Sequence, residues 1–362
     1  MEIFNRILQT AIQGGASDVH IKVGTPVVFR INRQLVAIEA PTPTEEWINR
    51  IVDAVVPRHM RGRLEEDREI DFSYYAQGIG RFRTNLFQQR GQYCFAMRYV
   101  KTQIPSFEQL GLLPVLRKIA ESPRGIVLLA GSTGCGKSTT LAAMIEHINA
   151  TSKKHIITLE DPIEYVFDDN QSVIEQREVG LDTRSFEQGL KHVLRQDPDI
   201  IMIGEMRDAT SFSAAMSAAD TGHLVLSTLH TTNASQSVGR ILDFFKADER
   251  DQIRRQLVTT LQAVVCQRMV TTVTGSVTPA LEIMISSSTI KKLIEENRLD
   301  KLAAAIEMGT DDGMQNFNQA LFNLVKERKI TEKEALAKAT NPQALEMNFK
   351  GIFLDEGRRI LG

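Results

Sequence analysis

The sequence predicts an α/β protein of two domains, the second built on a parallel sheet. Three observations carry that prediction. A glycine-rich loop at 131–139 sits between an apolar run and a segment with helical period, four apolar runs between 126 and 230 each end in polar residues, and the first hundred residues show strand alternation.

Composition sets the outer limits. At 362 residues the chain exceeds what one ordinary core serves, so two domains are expected. A hydrophobic fraction of 42% suits a folded protein, and a formal net charge of −2 argues against a polyanion binder at the level of the whole chain. No apolar run approaches the ~20 residues needed to span a bilayer, and Met1-Glu2-Ile3-Phe4-Asn5-Arg6 lacks the pattern of a secretory signal, so a cytoplasmic protein is expected. The three cysteines, Cys94, Cys135 and Cys266, are odd in number and widely spaced, which excludes a disulfide framework and a C-x-x-C metal site.

Residues 1–100 read as a mixed α/β domain. Val19, Ile21 and Val23 alternate, Gly24-Thr25-Pro26 turns, and 27–31 returns, which predicts a hairpin. Residues 81–87 and 93–99 form a second alternating pair, with Tyr93, Phe95, Met97 and Tyr99 on one face and Cys94, Ala96 and Arg98 on the other. If Arg90-Gly91 is the two-residue turn, Arg83 lies directly opposite Arg98, and two cations facing across a ladder repel. Either both are solvated, or the register differs, or an anion from elsewhere fills the gap between them. Residues 101–123, with Pro105, Gly111, Pro114 and Pro123, read as a linker plus a short helix.

The domain expected at 124–285 opens with the apolar run 126–130 and the loop Gly131-Ser132-Thr133-Gly134-Cys135-Gly136-Lys137-Ser138-Thr139, followed by Leu141, Met144, Ile145 and Ile148 at helical spacing. The run fits G-x-x-x-x-G-K-[ST]. Glycines turn backbone N–H groups toward an anion at a helix N-terminus, Lys137 would reach the β and γ phosphates, and the Ser138 hydroxyl would complete Mg²⁺ coordination. A glycine-rich turn that matches by accident is the alternative, and the flanking strand and helix argue against it. Three more runs end at Glu160-Asp161, at Glu205 and at His230, and in an open parallel sheet ligands bind beyond the carboxyl ends of the strands. From 286 to 362 apolar residues recur at spacings of three and four, predicting a helical extension without chemistry of its own.

Hydrolysis of a triphosphate needs a phosphate cradle, a group that activates water, and positive charge for the transition state. Glu205, after Ile200-Ile201-Met202-Ile203, is the candidate base, against the alternative of an ordinary carboxylate opening a helix beside Arg207 and Asp208. The acidic residue usual just before this position is Gly204 here, which leaves Asp199 or the segment Glu160-Asp161-Pro162-Ile163-Glu164 to help hold the metal or its waters. Glu164 reads equally as a surface ion-pair residue. His230 and, seven residues earlier, His223 could both face the nucleotide, or be structural.

Taken together, these runs resemble one family: the hexameric secretion ATPases that power type IV pili, specifically the retraction motors of the PilT/PilU type. The matching segments are GSTGCGKSTT at 131–140, ITLEDPIEY at 157–165, RQDPDIIMIGEMRD at 195–208 and TGHLVLSTLHTTNA at 221–234, joined by ASDVHIKVG at 16–24, GRFRTNLF at 80–87 and GMQNFNQALF at 313–322. The resemblance spans nearly the whole chain. It implies a PAS-like amino-terminal domain joined to a RecA-like P-loop ATPase domain with a helical carboxy-terminal extension, assembled as a homohexameric ring with ATP and Mg²⁺ between subunits. It makes Gly204 a family feature. It implies nucleotide contacts from Glu160 and His230 and catalytic roles for Glu205 and Glu164, and it places the family's arginine pair on Arg83 and Arg98, so that the missing anion would be the γ-phosphate.

The implied partners are further copies of the chain, an inner-membrane platform protein at the pilus base, where the ring would sit peripherally, and a paralogous retraction ATPase; no nucleic acid is expected. The extension and secretion branches carry a four-cysteine zinc motif and a longer amino-terminal region, both missing here, which favours retraction. One departure is that Ser288-Thr289-Ile290-Lys291-Lys292-Leu293-Ile294 replaces the retraction motor's A-I-R-N-L segment, which leaves open a principal motor, an accessory paralogue or a low-turnover ring. A RecA-like nucleic-acid translocase is the reading from another class; its ATP turnover would rise on adding DNA, with steep salt dependence.

Overall fold

The computed structural model describes residues 1–32, 34–100 and 103–353. Lys101 and Thr102 of the expected linker, and 354–362 of the expected helical extension, lie outside the described residues. The chain divides into two compact units, one of Met1–Gln103 with Pro162–Val166 and Gly180–Asp182, the other of Ile104–Asp161, Phe167–Val179 and Thr183–Gly362.

In the first unit, helix Glu2–Gln13 buries Phe4, Ile7, Leu8 and Ala11, and helix Glu45–Val55 buries Ile48, Ile51, Val52 and Val55, each a single apolar stripe at i, i+3, i+4, i+7. Thr44 starts the second helix by accepting from Trp47 N at 3.2 Å. The stripes join one core with a six-stranded sheet of β1 (Asp18–Lys22), β2 (Val28–Ile31), β3 (Gln34–Ala37), β4 (Glu69–Ala76), β5 (Gly80–Gln89) and β6 (Gln92–Val100), ordered β3-β2-β1-β6-β5-β4. Every neighbouring pair is antiparallel.

The predicted β1–β2 hairpin is present, and so is the predicted register of β5 and β6. Arg90 and Gly91 both take positive φ, 54° and 79°, as a two-residue hairpin turn requires. Pairing then runs from Gln89↔Gln92 without a slip, which sets Arg83 opposite Arg98.

The second unit holds β7 (Gly125–Ala130), β8 (His155–Glu160), β9 (Val173–Glu178), β10 (Ile200–Ile203), β11 (Leu224–Leu229), β12 (Leu261–Thr271) and β13 (Val277–Ile285), ordered β13-β12-β7-β11-β10-β8-β9. All pairs are parallel except β12–β13. Every residue of β7, β10 and β11 is buried, as the covered centre of a parallel sheet demands. The β12–β13 hairpin extends the sheet on the far side of β7 and was not among the strands read from the sequence. Beyond it come helices Ser288–Glu295, Leu302–Met308, Phe317–Lys326, Glu332–Lys338 and Pro342–Phe349, which pack Ile290, Leu302, Phe317, Ala335 and Leu345 into the core of the sheet.

Candidate active site

Because β7, β11, β10 and β8 are parallel and adjacent, their carboxyl ends line up along one edge of the sheet. That edge carries, in order, the loop after Ala130, His230, Glu205 and Glu160.

The loop leads into helix Lys137–Thr151, and its three glycines Gly131, Gly134 and Gly136 have φ of 148°, 78° and 86°. At two of them space is also decisive. A Cβ at Gly131 would stand 2.5 Å from Cys135 Sγ and 2.6 Å from the Gln267 carbonyl oxygen, and one at Gly136 would stand 2.8 Å from Gln267 Nε2. Cys135 packs beneath the loop at 4% exposure as a filler, and burial pushes its thiol up from the usual range. Ser132, Thr133 and Gly134 form the exposed crest, and Ser138 and Thr139 are half-buried in the first helical turn.

Lys137 is 8% exposed; its Nζ donates to Gly131 O at 2.8 Å and Ser132 O at 3.2 Å, and it has no carboxylate partner among the described residues. A desolvated ammonium held only by carbonyls, facing a crest of backbone N–H groups at a helix start, fits a triphosphate. Ser138, half-buried in the first turn, is the side chain of the loop that would hold Mg²⁺, which would shield the phosphate charge.

Glu205 lies just past β10, with its side chain 21% exposed. Arg207 Nη2 donates to Oε2 at 2.7 Å, and His230 Nε2 is 3.3 Å from Oε1. The hydrogen bond and charge of Glu205 raise Arg207 above the usual guanidinium range. Gly204 has a packing reason: its N–H donates to Leu159 O at 2.7 Å, and a Cβ there would lie 3.3 Å from that oxygen and 3.4 Å from Glu160 Cα. An aspartate at this position would press on the backbone of β8. Thr228 Oγ1 donates to Gly204 O and Ser227 Oγ to Ile203 O, both at 2.7 Å, pinning the turn that presents Glu205.

Glu160, 6% exposed, accepts from Thr158 Oγ1 at 2.7 Å and Gln176 Nε2 at 3.0 Å. Glu164, expected from the ATPase sheet, is exposed in the loop beyond β8 and groups with the amino-terminal unit.

Two candidates are corrected. Asp199 precedes β10, so it lies at the amino end of the sheet, where it accepts from His155 N at 2.9 Å and Lys154 Nζ at 3.2 Å. His223 precedes β11 at the same end, its Nδ1 2.9 Å from Ala218 O. Strand polarity removes both from the nucleotide edge.

In the amino-terminal unit, Arg83 is exposed and has no guanidinium partner among the described residues. Arg98 differs. Its Nε donates to Asp18 Oδ1 at 2.9 Å, so the anion beside this arginine comes from its own sheet, where Asp18 pairs with Arg98 across β1 and β6. Burial alone would raise the Asp18 carboxyl, but hydrogen bonds from Ser17 and Arg98, and the charges of Arg98 and His20, outweigh it and hold it below the usual carboxylate range.

Sequence reasoning missed Gln267, Arg268 and Glu282. Gln267 Nε2 donates to Cys135 O at 2.5 Å, and Thr140 Oγ1 donates to Gln267 Oε1 at 2.9 Å. Glu282 accepts from Ala234 N at 2.7 Å, fixing the helix that follows His230; burial pushes its carboxyl up, against the Ala234 N–H and the Arg268 charge. The Arg268 guanidinium lies 3.7 Å from the Phe317 ring centroid and donates to Lys338 O and Thr340 Oγ1. The available signal was polar residues inside the apolar runs 261–271 and 277–285. Among the described residues there is no cluster of ligands suited to a metal ion, and no helix is long and apolar enough to cross a membrane.

Residues 1–348 match the family model for type II/IV secretion system proteins. The chain is 39% identical over 348 residues to the type IV pilus ATPase PilU of Pseudomonas aeruginosa, covering 96% of this chain and 91% of that one. It is 38% identical over 337 residues to the type IV pilus retractation ATPase PilT of the same organism, covering 93% and 98%. The crystal structure of the pilus retraction motor PilT with bound ADP matches with a TM-score of 0.87 at 40% identity, covering 94% of this chain and 98% of that one. With this similarity along its length and a phosphate loop built as described, the chain belongs to the type II/IV secretion system protein family and is one of its nucleotide-binding ATPases.

Proposed function

We propose that the protein is a hexameric motor that hydrolyses MgATP to retract type IV pili and so drive twitching motility. The observation that carries this reading is the split of charge between the two units. The carboxyl edge of the second sheet supplies Lys137 and Glu205, while Arg83 and Arg98 face each other on the first. In this reading residues 131–139, Glu160 and His230 surround the nucleotide, Ser138 holds Mg²⁺, Glu205 orients and deprotonates the attacking water, and Glu164 assists. Arg83 and Arg98 reach the γ-phosphate of a neighbouring subunit in the ring, which sits at the pilus base against a membrane platform protein.

Mixing subunits tests the arrangement. Arg83→Ala and Glu205→Gln proteins, each inactive alone, should regain measurable ATPase activity when co-assembled, because some mixed interfaces carry both intact groups. Assembly without any regain would mean a site completed within one chain. An accessory role beside a paralogous motor is the second reading, supported by the residues at 288–294 and by a PilU relative as similar as PilT. Retraction in a strain lacking the paralogue separates them: a principal motor sustains it alone.

A further inference from the structure

We infer that Gln267 is a positioning residue for the phosphate loop, setting nucleotide affinity from a strand outside the loop, the helix and the catalytic edge. The inference rests on the loop at 131–139 binding phosphate. Gln267 lies on β12, which pairs in parallel with β7 so that Cys266 is opposite Ala130, the last residue before the loop. At 3% exposure it is a buried amide in an apolar strand. Its two ends are used on two different pieces of the cradle, the Nε2 donating to the Cys135 carbonyl in the loop and the Oε1 accepting from Thr140 in the first turn of the helix.

Its backbone carbonyl oxygen, together with Cys135 Sγ, also excludes a Cβ at Gly131, and its side-chain Nε2 excludes one at Gly136. One residue therefore sets the spacing between loop and helix from the side opposite the phosphates. Bonding the Cys135 carbonyl from below turns that peptide, so that the N–H of the same unit, belonging to Gly136, faces the other way. The loop carbonyls Gly131 O and Ser132 O are already taken by Lys137. Loss of the amide would let the Cys135–Gly136 peptide rotate and turn a carbonyl toward the phosphates.

The test is Gln267→Met, which keeps length and volume and removes both bonds. ADP affinity by calorimetry should weaken about tenfold. KM for ATP should rise in step, and kcat at saturating ATP should stay within about twofold because Glu205 is untouched. Thr140→Val removes one bond only and should weaken ADP about threefold; the double variant should match Gln267→Met alone. A side chain that only supports folding would lower the active fraction and the melting temperature at unchanged KM. Unchanged ADP affinity in folded Gln267→Met, or in Thr140→Val if the former does not fold, overturns the inference. Lys137→Ala is the control: if it too binds ADP normally, the reading of the loop has failed, whereas loss there with normal Gln267→Met rejects only the role of Gln267.

Discussion

The phosphate loop and the Glu205 turn occupy the same edge of one sheet and both backbones are pinned by buried bonds, yet Lys137 and the Glu205 carboxylate are held in opposite ways. The loop is fixed from within: Cys135 fills it, Gln267 braces it, and Lys137 is folded onto its carbonyls at 8% exposure. The Glu205 carboxylate is held by side chains that water reaches, Arg207 at 64% and His230 at 44% exposure. Buried bonds survive because breaking them leaves unsatisfied groups, whereas exposed ion pairs exchange readily with solvent. In the proposed reading, the loop is thus built before nucleotide arrives, and the Glu205 carboxylate is free to change partners.

That contrast makes two substitutions diverge. Lys137→Ala should weaken ADP and ATP by at least about a hundredfold, since it removes a charge-assisted bond to phosphate in a dry site. Glu205→Gln should leave ADP affinity within about twofold while turnover falls a hundred- to ten-thousand-fold, the usual range for a lost general base. Calorimetry beside a coupled phosphate-release assay reads both. If Glu205→Gln also lost binding, the two halves would not be separable.

The same contrast explains what was legible in the sequence. The loop could be read because backbone geometry dictates its residues: glycine where φ is positive or a Cβ would collide, lysine and serine at fixed distance. The Arg83–Arg98 pairing was legible because a two-residue turn at Arg90-Gly91 fixes register along the whole ladder. Asp199 and His223 were misplaced because an apolar run shows where a strand lies, while the edge facing the ligand follows from its direction. Gln267 and Glu282 could not be assigned without the structure, since their partners Cys135 and Ala234 lie 132 and 48 residues away. The tie between Asp18 and Arg98 spans 80 residues and needs β1 beside β6, a pairing that no local pattern encodes.

A smaller effect should come from Arg207. Its bond to Glu205 is exposed at the arginine end, so it is worth about 1 kcal/mol, and Arg207→Ala should slow turnover no more than about fivefold at unchanged ADP affinity. A loss rivalling that of Glu205→Gln would mean that Arg207 itself acts on the nucleotide, and the exposed half would hold a second essential group.

The smallest effect distinguishes the two arginines. Arg98 is tethered by Asp18 and Arg83 is not, and the tether is partly exposed, with the Arg98 side chain 67% accessible and that of Asp18 12%. Discounted for solvent, Asp18→Asn should cost about 1 kcal/mol of stability at neutral pH. The sign with pH follows from the lowered carboxyl. A group whose folded pKa lies below its unfolded value of about 3.9 stabilises the fold above that value, and the stabilisation is lost as pH falls through the folded pKa. Melting temperatures of the wild type and Asp18→Asn should therefore differ at pH 7 and at pH 5, and the gap should begin to shrink below about pH 4 and close only once pH has fallen below the lowered folded pKa. A gap that persisted in acid would show that Asp18 acts through neutral hydrogen bonds such as that from Ser17, and that Arg98 is as untethered as Arg83.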